Sequence, residues 1–376
     1  MLPVVRRLDA ASAGEPAQTR HGSARAPGGG TDAVKVSQVG VVGLGGIGRI
    51  HVDGWRRLGV ELHGYDGIAE ARTRAREEFG IVVHDDLDAL VAAVDVVDVC
   101  TPTDTHAPLG VAALQAGAPV ICEKPLARTL SQADEMIAAS RASGAALHVA
   151  QVVRFFEPYA AAQAQVASGR IGQPAVLRLT REGGMPAGDR WYHDTARSGG
   201  IILDVMIHDI DYARWIAGEV VRVYARTLRP IGPRDTPTHA YALLTHASGA
   251  ISHLTASWAR LDASFRTSFE LAGSEGMLEY ATDQRPALRT APPALVRAAG
   301  SLLAEDPWTA ELREFLAAIR GGPPPRVSAE DGRAALAIGL AALESAETGR
   351  AVELDAPAGT DHHPGSAPAT EKVATA

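Results

Sequence analysis

Residues 39–51, VGVVGLGGIGRIH, decide the fold. A β-branched run leads straight into glycines at 43, 45 and 48, and the segment after Gly48 reads as a helix to about Leu58. In a chain with 38 glycines a lone GxGxxG carries little weight; here a strand precedes it and a helix follows. The three glycines then serve distinct purposes, allowing a tight turn, close approach of the backbone to a pyrophosphate, and close packing of helix on strand. The helix N-terminus adds free N–H groups and the positive end of its dipole. Gly43, Gly45, Gly46, Ile47 and Gly48 are therefore candidates for holding a dinucleotide. Asp66 ends the next strand-like run, VELHGYD (60–66), where its carboxylate would accept the hydroxyls of an adenosine ribose. The same carboxylate would repel a 2′-phosphate, and Gly67 and Ile68 bring no cation, so NAD is expected ahead of NADP. Arg72 and Arg74, on the following helix, read as solvated.

Outward from this loop, strands alternate with helices. GIVV, VDVVDVC (94–100), PVICE and ALHVAQVV are separated by helical segments such as AEARTRAREEF and SQADEMIAASRASG. That alternation predicts an α/β domain with a doubly wound parallel sheet over 35–150. The second half reads differently. AVLRLT, VVRVYART, HAYALLTH, AISHLTASWAR, SFRTSFELAG and GMLEYA follow one another without helices between most of them. They predict an α+β domain over 151–355 with a largely antiparallel open sheet. Residues 1–34, rich in Gly, Ala, Ser and Pro, read as a flexible extension, and 356–376 as a loose tail.

Bulk properties narrow the function. A formal net charge of −8 argues against nucleic acid as the main partner. Two cysteines, Cys100 and Cys122, exclude a disulfide scaffold and fit a reducing compartment. No apolar run approaches the roughly 20 residues that span a bilayer. Arg6-Arg7 is followed by no apolar segment, so an export signal is not read there and a cytoplasmic location is expected. An open antiparallel sheet invites face-to-face burial, which points to a homodimer or homotetramer.

The residues that could carry chemistry gather at two places. PVICEKPLART sets Glu123 and Lys124 at the carboxyl end of a strand, the edge where doubly wound sheets bind ligands. CTPTDTHAPL brings Thr101, Pro102 and His106 to the same crevice. Further on, GGIILDVMIHDIDYARWIAG (199–218) places Asp204, His208 and Asp211 at i, i+4 and i+7 of a helix, one stripe on one face. From the helix alone, Asp204 and His208 admit two readings: a surface pair, or groups with a chemical role. Asp211, with Arg214 three residues on, reads as a structural pair. Arg154, Trp191 and Tyr192 are further candidates for substrate contact, each with packing or surface charge as the alternative.

GLGGIG, CTPTDTH, CEKP and GGIILDVMIHDIDYARW, in that order, resemble the Gfo/Idh/MocA family of NAD(P)-dependent oxidoreductases. The resemblance runs from about Val36 to Leu354 and includes RFFEPY (154–159), GRIGQP (169–174) and ALESAETGRAVEL. It implies a second domain that carries substrate and mediates oligomer contacts, and a catalytic set that falls on Lys124, Asp204 and His208, with no metal. In that reading His208 is the base, Lys124 stabilises charge on the reacting oxygen, and Asp204 binds substrate or orients the imidazole. The implied substrate is a polyhydroxy small molecule: a sugar, a sugar derivative or a cyclitol, with inositol dehydrogenase as the archetype. Two alternatives share the fold: an NAD-dependent glycosidase, and a non-catalytic dinucleotide-binding regulator. The regulator predicts loss of the Lys or the His, and this chain keeps both.

Overall fold

Valine-rich runs that cannot stay in water form the first sheet. A computed structural model describes residues 35–185, 190–228, 238–259, 265–282, 288–291 and 305–355. Six strands come first: β1 (Gln38–Val42), β2 (Glu61–Tyr65), β3 (Val82–Val83), β4 (Val96–Val99), β5 (Val120–Glu123) and β6 (Leu147–Ala150). They lie in the order β3-β2-β1-β4-β5-β6, every neighbouring pair parallel. The chain winds outward in both directions from the β1–β4 pair. The carboxyl ends of those two strands therefore part, and a crevice opens between their following loops. β4, β5 and β6 are buried along their whole length, as a sheet covered on both faces requires.

The second sheet has eight strands: β7 (Pro174–Glu182), β8 (Val220–Leu228), β9 (His239–His246), β10 (Ile251–Ser257), β11 (Arg266–Gly273), β12 (Met277–Ala281), β13 (Leu288–Ala291) and β14 (Val352–Glu353). Their order is β13-β12-β11-β7-β10-β9-β8-β14. All pairs are antiparallel except β7 with β10. One face packs under helices, including Ile207–Ala217 and Ala329–Thr348, and the alternation along each strand follows: in β9, Ala240, Ala242 and Leu244 are buried while Tyr241 and Leu243 are exposed.

Two local features position the site. The stretch predicted as one helix from 200 to 217 begins with a wider π-helical turn, Ile202–Met206, before the α-helix Ile207–Ala217. Such widening frequently occurs at functional sites. The helix Pro307–Ile319, which starts with Pro307 and is capped by Asp306, packs back against the glycine-loop helix Gly46–Arg57. A Cβ on Gly54 would lie 2.9 Å from Leu312, and Arg57 pairs with Asp306 at 2.7 Å. Among the described residues no helix is long and apolar enough to cross a membrane.

Candidate active site

The glycine loop has the shape its sequence demands. Gly43 has φ +94°, and a Cβ there would lie 2.7 Å from the Cys100 carbonyl. A Cβ on Gly48 would lie 1.9 Å from the Gly43 oxygen, so only glycine lets this helix sit so close to the strand. Gly45 and Gly46 are exposed, with nothing within 4 Å of a Cβ position. The helix Gly46–Arg57 has no side-chain cap, which leaves its first N–H groups for an anion. Asp66 is held beside the loop: its carboxylate accepts the N–H of Leu44 at 2.9 Å and of Ile68 at 2.8 Å. These residues fit a dinucleotide. Arg74 is exposed as expected. Arg72 is not simply solvated: it donates to the Asp66 carbonyl at 2.8 Å and pairs with Asp85.

Three residues expected to face a ligand turn inward instead. His106 is buried, with Nδ1 2.9 Å from the Pro125 carbonyl and Nε2 2.8 Å from the Thr101 carbonyl. It ties the loop after β4 to the loop after β5. Burial holds its imidazole below the ordinary range. Glu123 is likewise buried; it accepts the Lys124 N–H at 3.0 Å and meets His51 Nε2 at 3.1 Å. Arg154, proposed for substrate, is 1% exposed and locked on Asp211 by two bonds of 2.7 Å, with a third to the Arg326 carbonyl. Asp211 thus has Arg154 as its partner and not Arg214, which pairs with Glu219 and Asp331.

Behind Glu123 lies a cluster that the motif reading missed. His51 sits between two carboxylates, Nδ1 2.9 Å from Asp98 and Nε2 3.1 Å from Glu123, and Trp55 donates to Asp98 at 2.7 Å. Burial alone would lower His51, but the charges and hydrogen bonds of Asp98 and Cys100 together outweigh it and hold the imidazole well above its ordinary value. The available signal was Asp98 itself: a carboxylate inside the apolar run VDVVDVC must have a partner.

Lys124 leaves the end of β5, across a cis peptide bond to Pro125, into a cavity of about 360 Å³. Its Nζ donates to the Asp204 carbonyl at 2.5 Å and to the Asp204 carboxylate at 3.2 Å. His208 lines the same cavity from the next turn. Its Nδ1 is buried with no partner among the described residues. Burial, then the charges of Lys124 and Arg181, hold it well below its ordinary value. So Lys124, Asp204 and His208 meet, while Asp211 faces the interior. Arg181, on β7, completes the polar lining and was not foreseen. It is buried and paired with Asp209 at 2.8 and 3.3 Å. Trp191 and Tyr192 do not line this cavity; their rings lie against each other, 4.0 Å apart, in the turn Arg190–His193.

Comparison with known proteins agrees with this layout. A family model described as an oxidoreductase family with an NAD-binding Rossmann fold matches residues 37–151, and one described as the GFO/IDH/MocA C-terminal domain matches 159–279. Myo-inositol 2-dehydrogenase of Thermotoga maritima is 32% identical over 85% of this chain and 98% of its own length. D-apiose dehydrogenase of Paraburkholderia graminis is 32% identical over 86% of this chain and 91% of its own. Among solved structures, levoglucosan dehydrogenase in complex with NADH superposes with a TM-score of 0.73 at 26% identity, covering 85% of this chain and 99% of its own.

Proposed function

Because the chain belongs to the GFO/IDH/MocA family, whose first domain binds NAD, we propose that it transfers a hydride between a secondary alcohol of a sugar, sugar derivative or cyclitol and the nicotinamide. The observation that carries this reading is the meeting of Lys124, Asp204 and His208 in one cavity at the carboxyl end of β5. The glycine loop 43–48, Asp66 and the strand-end residues Thr101 and Pro102 would hold the dinucleotide, which supplies the hydride acceptor.

The remaining chemistry belongs to side chains. An ammonium has three protons, and two of those on Lys124 go to Asp204. The third is free to hydrogen-bond the reacting oxygen and stabilise the negative charge that develops there. His208, kept neutral by burial and by two nearby cations, is ready to take the hydroxyl proton. Asp204 holds Lys124 in place and, through its second carboxylate oxygen, can accept from a neighbouring hydroxyl. We also propose that the protein is a homodimer or homotetramer assembled through the exposed face of the second sheet.

The test is NADH absorbance with a panel of inositols and aldoses, for the wild-type protein and for Lys124→Ala and His208→Ala. NADH formation by the wild type, reduced about 10²- to 10⁴-fold in each variant, supports the assignment. Tight NAD binding with no NADH from any alcohol would favour the glycosidase or regulator.

A further inference from the structure

The cavity around Lys124 has a divided lining. Its charges cancel: Lys124 is paired with Asp204, Arg181 with Asp209, and His208 is neutral. Arg181 directs Nε and Nη2 at Asp209, so its charge is balanced there. The rest of the described lining holds no polar side chain apart from the indole N–H of Trp308: Val152, Val153, Phe156, Val205, Phe265 and Trp308. Phe156 and Trp308 meet edge to face, 5.7 Å between centroids, and the indole nitrogen is itself buried. A hydroxyl pressed against that part would lose its water and find, among the described side chains, only the unpartnered indole N–H of Trp308. A carboxylate would be buried where, among the described lining residues, no cation is left over to balance it.

We propose that the substrate is an uncharged sugar with one hydroxylated edge and one apolar portion, of the deoxy, anhydro or O-alkyl kind, in preference to a sugar acid or a ring hydroxylated on every carbon. The polar part of the cavity takes the reacting hydroxyl and its neighbours; the apolar part takes the deoxygenated or alkylated portion, whose C–H surface packs on the aromatic rings. This rests on the dehydrogenase reading above and narrows it.

The experiment uses wild-type protein with NAD and matched probes. These are hexoses of gluco, galacto and manno configuration, each beside its 6-deoxy form and its methyl glycoside, with myo-inositol and D-glucuronate opposed to them. Initial rates give kcat/KM, and calorimetric titration of the protein saturated with NADH gives affinities without turnover. In at least one configuration the deoxy or methyl probe should exceed its parent hexose by about 10- to 100-fold, with myo-inositol and glucuronate below both. Phe156→Tyr, which adds an oxygen to the apolar part, should cut that ratio to a few-fold.

Parent hexose, inositol or glucuronate ahead of every deoxy and alkyl probe would overturn the inference and leave the dehydrogenase reading standing. Equal values within every pair would also overturn it, returning the apolar part to the cofactor's own ring. Binding in the expected order without NADH formation would sink the dehydrogenase reading instead and support the inference. Failure of every probe to bind would overturn the inference.

Discussion

Glu123 and Lys124 are neighbours in the chain and belong to opposite kinds of site. Glu123 turns into the core, where His51 has a carboxylate on each ring nitrogen. Lys124 turns out into the cavity, where His208 has a buried nitrogen with no partner among the described residues. Burial lowers both imidazoles, but the neighbouring charges act in opposite directions: those around His51 carry it above its ordinary value, and Lys124 and Arg181 push His208 further down. A completed network holds strands and helix together; an incomplete one waits for another molecule. The difference is one of satisfaction, not of residue type.

Exchanging the two histidines for alanine should separate catalysis from stability. His208→Ala should lower kcat/KM by about 10²- to 10⁴-fold while leaving the urea midpoint nearly unchanged, since its buried nitrogen has no hydrogen bond to lose. His51→Ala leaves Asp98 and Glu123 buried without their cation and should cost about 3–5 kcal/mol of stability, read from urea unfolding. A His51→Ala protein as stable as wild type would end the distinction.

The pH dependence sharpens the same contrast. His51 is raised in the folded protein, so its stabilisation is full below the ordinary value of 6.5 and is lost as pH rises through the raised value. His208 is lowered, so its effect is the reverse: the folded state is favoured above 6.5 and loses ground as pH falls towards the lowered value. Urea midpoints across pH for wild type and each variant will show whether the two slopes have opposite sign. The acid limb of kcat/KM should lie below 6.5, because His208 must be neutral to act.

Gly48→Ala is a smaller perturbation with a defined target. Its Cβ would meet the Gly43 oxygen at 1.9 Å, so the helix must move off the strand. A cost of about 1–3 kcal/mol is expected, together with weaker NAD binding measured by titration.

Much of this was legible in the sequence, because patterns report what backbone geometry requires. Gly43 and Gly48 are needed by close approach, and the strand-end position of Lys124 follows from the order of strands and helices. Contacts between distant segments were not legible. Arg154 looked like a substrate ligand because an arginine near the site has no sequence sign of its partner; Asp211, 57 residues on, takes it. The i, i+4, i+7 stripe failed at Asp211 because a stripe on a helix can touch two different neighbours: Asp204 and His208 line the cavity, while Asp211 meets Arg154. Arg181 did leave a local signal that the motif reading passed over: strand alternation sets it in phase with the buried Leu177 and Leu179, and the exposed Arg178 out of phase.

The exposed face of the second sheet carries the smallest expected change in fold stability and the clearest change in assembly. Tyr224 on β8 lies opposite Leu243 on β9, with Tyr241 two residues along on the same face. Nearby, Ile251 on β10 lies opposite Val176 on β7. These five side chains are each 36–47% exposed and lie on one face across four neighbouring strands, with Thr245 and His253 between Leu243 and Ile251. Surfaces of that kind mark contact sites, and a second copy placed on it would cover the long open face of the sheet. Leu243→Asp puts a charge at its centre while touching nothing in the core. Folding free energy of the single chain should change by no more than about 0.5 kcal/mol. Sedimentation equilibrium should show the wild type as a dimer or tetramer and the variant at a lower mass. An unchanged mass would move the assembly contact to another surface, and a monomeric wild type would remove it altogether.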